Sequence, residues 1–335
     1  MPLFHACDEE CGVAFKRLSG PTIFVNRRHF TLEFRNVILP PIQSPTMKGP
    51  SFLLLVFFLS NISCQQTTPH DTDQTASQPT LAQKIGQMIM VGFREDRADA
   101  GTKIHELVDQ YHIGGVVLYN RDVPSRDSLS RNIHSKEQLT ALNTQLQAIS
   151  PTKLLIAIDE EGGKVSRLSA KNGFQQHASH LRMGELNQLD STRLWAQQMA
   201  TELQELGINM NFAPVVDLNI NPECPVIGKI ERSFSADPDL VTAHSKLFIE
   251  AHRKRNIVCV PKHFPGHGSA QMDSHQGFTD VSQTWQETEL LPYQKLIEAN
   301  YCDIIMTAHV YNDQLDSLPS TLSAKIIKTV LKERF

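Results

Sequence analysis

Residues 257–275 read IVCVPKHFPGHGSAQMDSH, an apolar run that passes directly into a stretch dense with ionisable side chains. Ile257 to Val260 have the short, β-branched character of a strand buried on both faces. Beyond them Pro265, Gly266 and Gly268 break regular structure, so Lys262, His263, His267, Asp273 and His275 are expected to hang from irregular backbone. The loop therefore leaves the C-terminal end of a strand, and loops with convergent polar groups are where function concentrates.

The same pattern recurs on either side. Apolar runs at 87–93, 113–119, 153–159, 210–217, 257–263 and 303–309 each read as a buried parallel strand. Between them, 102–111, 136–149, 190–206, 238–256 and 284–300 carry apolar residues at helical spacing, with Ser135 and Asp190 as candidate caps. Strand and helix in alternation give an α/β fold. The polar residues decide which one: the third strand ends in Asp159, the fourth in Asp217, the fifth in Lys262 and His263, and the sixth in His309. An open doubly wound sheet has one crevice at its switch point, whereas a (β/α)8 TIM-type barrel brings the C-terminal ends of all its strands to one mouth. Four consecutive strands ending in chemistry favour the barrel. No Gly-rich phosphate fingerprint follows the first strand, and the EGG of 161–163 does not supply one.

Composition is that of ordinary globular material: 335 residues, 40% hydrophobic, 20% charged, with a net charge of −4. Without clustered Lys and Arg, nucleic acid is excluded as a partner. Six Cys at 7, 11, 64, 224, 259 and 302 lack CxxC spacing, so neither a disulfide framework nor a structural metal site is implied.

The first eighty residues do not read as a folded domain. Lys48, the apolar FLLLVFFL of 52–59 and SNISC of 60–64 have the form of a secretory signal, too short for a bilayer span of about twenty residues. Such a signal belongs at an N-terminus, so Met47 is expected to be the biological start, 1–46 upstream non-native translation and 47–63 the signal peptide. Cys64 after Ser63 resembles a bacterial lipoprotein processing site, although Asn61 departs from the usual aliphatic residue. A small-residue signal peptidase site and a buried apolar strand are the alternatives. Residues 64–79 are polar, Pro-containing and aperiodic, as a disordered tether would be.

Five motifs in order carry a family resemblance: IDEEGGKVSRL at 158–168, NFAPVVDLNINP at 211–222, PVIGKIERSF at 225–234, KHFPGHG with DSH within 262–275, and MTAHV at 306–310. Together they resemble glycoside hydrolase family 3, over about residues 80–335, and the KHFPGHG and DSH pairing resembles its bacterial β-N-acetylglucosaminidase (β-N-acetylhexosaminidase) branch. The resemblance implies an N-terminal barrel domain and a retaining, exo-acting hydrolase of terminal β-N-acetylglucosamine in peptidoglycan fragments or chitooligosaccharides. The signal-like segment and Cys64, by contrast, are what imply a bacterial envelope protein, periplasmic or a lipoprotein touching the membrane only through its lipid anchor, or else a secreted protein. No metal or organic cofactor is implied.

The chemistry fits these residues independently. Retaining hydrolysis needs a nucleophile and a second group that protonates the leaving oxygen and later deprotonates water. An imidazole does both near neutral pH, which suits His275, and Asp273 two residues away is placed to hold the ring tautomer. By resemblance this dyad is the acid/base. Asp159 can accept from two adjacent hydroxyls; by resemblance it binds ring hydroxyls, and Arg167, Arg232, Lys262 and His263 fall on the family's other sugar-contacting positions. Read alone, each Arg is more simply a surface salt bridge. Asp217 and His309 are read as supports at the mouth, His267 as a brace for the loop, and Asn219 and Asn221 as turn residues tolerant of left-handed backbone.

One departure stands out. The family's nucleophile is an Asp at the end of a seventh strand, and 323–335 reads as the helix leading into it, so about six of eight strands are expected here. A barrel truncated before its nucleophile would be inactive and poorly stable. Three rivals remain. A β-glucosidase-type member of the family would differ in substrate. A metal-dependent barrel hydrolase would use His263, His267, Asp273 and His275 as ligands, but HFPGH is not helical and lacks the shared face of HExxH sites. A non-catalytic carbohydrate-binding lipoprotein would lack the nucleophile altogether.

Overall fold

The computed structural model describes residues 78–122 and 130–335. The expected upstream segment 1–46, the signal 47–63, the Cys64 lipidation site and nearly all of the tether 64–79 lie outside the described residues.

Five short strands form one parallel sheet in sequence order: β1 (Met90–Gly92), β2 (Gly115–Leu118), β3 (Leu155–Ile158), β4 (Met210–Asn211) and β5 (Val258–Cys259). Helices α1 (Leu81–Gly86), α2 (Lys103–Asp109), α3 (Lys136–Ile149), α4 (His180–Leu186), α5 (Leu189–Glu205), α6 (Pro238–Arg253) and α7 (Leu291–Glu298) alternate with the strands. Two more parallel pairs follow, β6 (Lys262–Phe264) with β8 (Met306–Thr307), and β7 (Thr279–Asp280) with β9 (Val310–Tyr311).

The fifth apolar run is thus split, and Pro261 is the reason. Proline has no N–H for the ladder, although its carbonyl still accepts from Met306 N at 3.0 Å. Past Pro261 the ladder resumes. Lys262 N donates to Pro214 O at 3.3 Å and Val216 N donates to Lys262 O at 2.9 Å, which joins the β6–β8 pair to the continuation of β4. Lys262 and His263, expected on irregular backbone, therefore sit within a strand; the loop begins at Pro265.

Side chains along the strands alternate between two cores, as the period of two requires. Val117, Tyr119, Ala157, Met210, Phe212, Val260, Ile304 and Met306 pack together as a small inner cluster. Val116, Leu118, Ile156 and Ile158, one residue out of phase, join the larger cluster that includes the buried stripes of the helices, such as Leu139, Leu142 and Leu146 of α3. Each such buried Leu contributes roughly 1.5–3 kcal/mol. Parallel pairing, alternating helices and a second core enclosed by the strands are features of the (β/α)8 TIM-type barrel. The described residues provide six of its strand positions.

Local signals explain most boundaries. Ser135 caps α3, its hydroxyl accepting from Gln138 N at 3.2 Å. Asp190 is not a cap: α5 starts at Leu189 after Gln188, and Asp190 lies in the first turn, where a carboxylate complements the helix dipole. Residues 326–333 wind as a π-helix that buries Ile326, Ile327, Val330 and Leu331. Among the described residues no helix is long and apolar enough to cross a membrane.

Candidate active site

Asp159 follows β3 directly, and Glu160 and Glu161 come next, all three nearly or fully buried. Three buried carboxylates in succession demand partners. Glu161 meets Arg232 in a two-pronged pair, Nε to Oε2 at 2.7 Å and NH2 to Oε1 at 2.8 Å. Lys262, also buried, places Nζ 2.6 Å from Asp159 Oδ1 and 2.6 Å from Glu161 Oε1. Burial alone pushes both carboxyls up, but Lys262 with Arg167 for Asp159, and Arg232 with Lys262 for Glu161, hold them below the usual carboxylate range. Arg167 NH2 lies 3.6 Å from Asp159 Oδ2, and its guanidinium stands 5.8 Å from the centre of the Tyr119 ring.

The chain folds this way at Asp159 because Gly162 and Gly163 follow, both in left-handed backbone at φ +82° and +59°. A Cβ at Gly162 would come within 2.3 Å of Ala178 O. Only glycine lets the chain turn so tightly after the strand.

His263 joins this cluster from β6. Its Nε2 lies 3.1 Å from Arg232 NH2, which can only donate, so Nε2 accepts and the proton resides on Nδ1. Nδ1 in turn donates to Asp217 Oδ2 at 2.7 Å. Burial, then Arg232 and Lys262, hold His263 well below the usual imidazole value, so the ring is neutral. Asp217, buried at the fourth strand position, also accepts the backbone N–H of His263 at 3.2 Å and of His267 at 2.8 Å. Burial outweighs these donors and leaves its carboxyl above the ordinary value.

From His267 the loop reaches the second group. His267 Nε2 is 2.8 Å from Ser274 Oγ, and Ser274 separates Asp273 from His275. His275 Nδ1 is 2.8 Å from Asp273 Oδ1, and the His275 backbone N–H donates to the same oxygen at 2.8 Å. Burial acts to raise the Asp273 carboxyl, but the backbone and ring bonds to His275 win and lower it, so Nδ1 donates to an ionised carboxylate. The His275 side chain is 40% exposed and that of Asp273 20%, which leaves Nε2 as the ring nitrogen for exchange with a ligand.

The structure thus gathers Asp159, Arg167, Arg232, Lys262 and His263 into one charged floor, and pairs Asp273 with His275 on a loop rooted in it through Asp217 and His267. Arg167, with 20% side-chain exposure, and His263, with 15%, are the more accessible of the floor groups. His309 is exposed beyond β8, 3.3 Å from Thr321 Oγ1. Asn221 pins the loop, donating from Nδ2 to Ala270 O at 2.8 Å, but neither it nor Asn219 adopts the left-handed backbone expected of them. Sequence reasoning missed the roles of Glu160 and Glu161. The sequence alone carried no clear signal, since their partners, Arg232 and the Ser166–Leu168 turn, lie elsewhere in the chain. Among the described residues, no three His, Cys, Asp or Glu side chains are disposed to hold a metal ion.

Over most of its length the chain is similar to known proteins. Beta-hexosaminidase A of Pseudoalteromonas piscicida is 32% identical over 293 residues, which is 76% of this chain and 46% of that protein. A beta-hexosaminidase of Tolumonas auensis is 35% identical over 237 residues, 69% of this chain and 66% of that one. The chain thus spans about half to two thirds of the length of these relatives. Among solved structures, a glycoside hydrolase family 3 beta-N-acetylglucosaminidase from Paenibacillus sp. superposes with a TM-score of 0.69 at 33% identity, covering 77% of this chain and 47% of that one. The family model for the glycosyl hydrolase family 3 N-terminal domain matches residues 80–335, from the capped start of α1 through every group described above, and the chain belongs to that family.

Proposed function

We propose that the protein is a retaining exo-glycosidase releasing terminal β-N-acetylglucosamine from glycans such as peptidoglycan fragments or chitooligosaccharides. His275 is the acid/base and Asp273 its orienting carboxylate. In the first step the imidazolium, stabilised by the ionised Asp273 through Nδ1, gives its Nε2 proton to the leaving oxygen as the glycosidic bond breaks, and is left neutral; in the second step the neutral ring accepts a proton from the attacking water at Nε2 and is imidazolium again. Asp159 accepts from ring hydroxyls while Arg167, Arg232 and Lys262 supply donors, and His263, its ring proton held by Asp217, lines the same floor and steadies Arg232 through Nε2. The names of the relatives and the solved neighbour support the substrate class. The proposal extends to the bacterial envelope, with Cys64 as the lipidated residue; labelled acyl chain on Cys64 in a bacterial host tests that part.

The observation that carries the reading is the 2.8 Å contact between His275 Nδ1 and Asp273 Oδ1 on a loop tied to the charged floor. The test uses the full-length natural protein, comparing chromogenic N-acetylglucosaminide with glucoside and then His275→Ala with the parent. Preference for the N-acetylated sugar, and a loss of about 10²–10⁴-fold in His275→Ala on substrates with poor leaving groups, is expected. A preference for glucoside would make it a β-glucosidase. Binding without turnover would make it a carbohydrate-binding protein.

A further inference from the structure

Glu160 lies between two residues whose partners are clear, yet its own carboxyl points elsewhere. It is fully buried, and a single oxygen, Oε2, accepts three hydrogen bonds: from Ser166 Oγ at 3.0 Å, from Arg167 N at 3.0 Å and from Leu168 N at 3.2 Å. The Ser166 hydroxyl also lies 3.0 Å from Leu168 O, closing the turn on itself. The second oxygen, Oε1, is buried with no hydrogen-bond partner. All of the hydrogen bonds of this carboxyl therefore run through Oε2. Burial, outweighing the three donors and His177, raises this carboxyl to about 7.

What the three bonds fix is the backbone on both sides of the Arg167 Cα. Two successive amides aimed at one oxygen define the direction in which that side chain leaves the chain, and its guanidinium lies 3.6 Å from Asp159. We propose that Glu160 is a positioning residue that acts as an acceptor, setting the Ser166–Leu168 turn and through it the placement of Arg167 beside Asp159. This rests on the reading of Arg167 and Asp159 as sugar-binding groups. The acceptor role itself does not depend on that reading. The arrangement also separates the duties of three neighbours: Asp159 faces the site, Glu161 neutralises Arg232 and Lys262, and Glu160 shapes the turn that follows.

The test compares Glu160→Gln, Glu160→Leu and Arg167→Ala in the full-length natural protein by two readouts. Amide hydrogen exchange at Arg167 and Leu168, read without substrate, is expected to match the parent in Glu160→Gln, which keeps an acceptor oxygen, and to speed at least about tenfold in Glu160→Leu, which lacks one. Kinetics on the N-acetylglucosaminide are expected to show a parent-like KM in Glu160→Gln and a KM raised about tenfold or more in Glu160→Leu, with kcat less affected. Adding Arg167→Ala to Glu160→Leu is expected to raise KM no further than Arg167→Ala alone. Exchange in Glu160→Gln as fast as in Glu160→Leu, or additive effects in the double variant, would overturn the proposal. Should Glu160→Leu not fold, Ser166→Ala in the Glu160→Gln background takes its place, with Arg167 exchange unchanged supporting the proposal and a rise to the unprotected rate refuting it. If the parent shows no turnover of N-acetylglucosaminide, the glycosidase reading fails while the exchange measurement still decides the role of Glu160.

Discussion

The ammonium of Lys262 lies 2.6 Å from Asp159 Oδ1, both groups buried, joining the end of the third strand to the start of the strand segment after Pro261. Glu161 shares the same ammonium at 2.6 Å, so one cation offsets two carboxylates, with Arg232 assisting on Glu161 and Arg167 on Asp159. Lys262→Met removes the cation and leaves the carboxylates under-compensated. A destabilisation of about 3–5 kcal/mol is expected, read as a lower urea midpoint at unchanged slope. Combining it with Glu161→Gln is expected to recover part of the loss; no recovery would mean that packing, not charge, is the cause.

Glu289 offers a pH test. It is buried, Gln286 N donates to its Oε1 at 3.2 Å, and its Oε2 is where a Cβ at Gly266 would come within 2.6 Å. Burial raises its carboxyl from the ordinary 4.5 to about 7. Because the folded-state value is the higher one, the protonated carboxyl stabilises the fold fully below about pH 4.5, and that contribution is lost as pH rises to about 7. The size is about 3 kcal/mol. Relative to the parent, Glu289→Gln is therefore expected to gain stability as pH rises from 5 to 8; parallel urea midpoints across that range would refute it.

Asp217 accepts from the backbone of His263 and His267 and from the His263 ring. Asp217→Asn turns one of its two acceptors into a donor facing donors. A loss of about 1–3 kcal/mol is expected, with weakened amide protection at His267 as the distinguishing readout against a general effect.

Gly268 is packed against the chain after the fourth strand, and a Cβ there would come within 1.7 Å of Leu218 O. No rotamer relieves a clash with backbone. Gly268→Ala is expected to displace the loop that bears Asp273 and His275, with accelerated proteolysis within 265–278; parent-like proteolysis would show that the loop adapts.

The strand runs were legible because a sheet buried on both faces needs continuous apolar sequence, and each of the six runs contains a strand. Lys262 and His263 were legible as chemistry but not as strand, since Pro261 masks the resumption of pairing with Met306 and Thr307. The helix α1 was missed although Thr80 and Gln83 form a capping box, a readable start signal on a helix of six residues too short to show its period. Glu160 and Glu161 were missed for another reason. Adjacent acids look solvated until Arg232 and the Ser166–Leu168 turn, distant or later in sequence, supply their partners.

The loop from Pro265 to Phe278 is bounded by β6 and β7, and both of these pair with one stretch, Met306–Thr307 and Val310–Tyr311. It is a handle riveted at each end to the same rail. Any change that shifts the rail carries both rivets together, so the dyad keeps its attitude toward the barrel when that strand moves as a unit. A substitution between Thr307 and Val310 alters the spacing of the rivets instead, and it tilts the handle without touching Asp273 or His275.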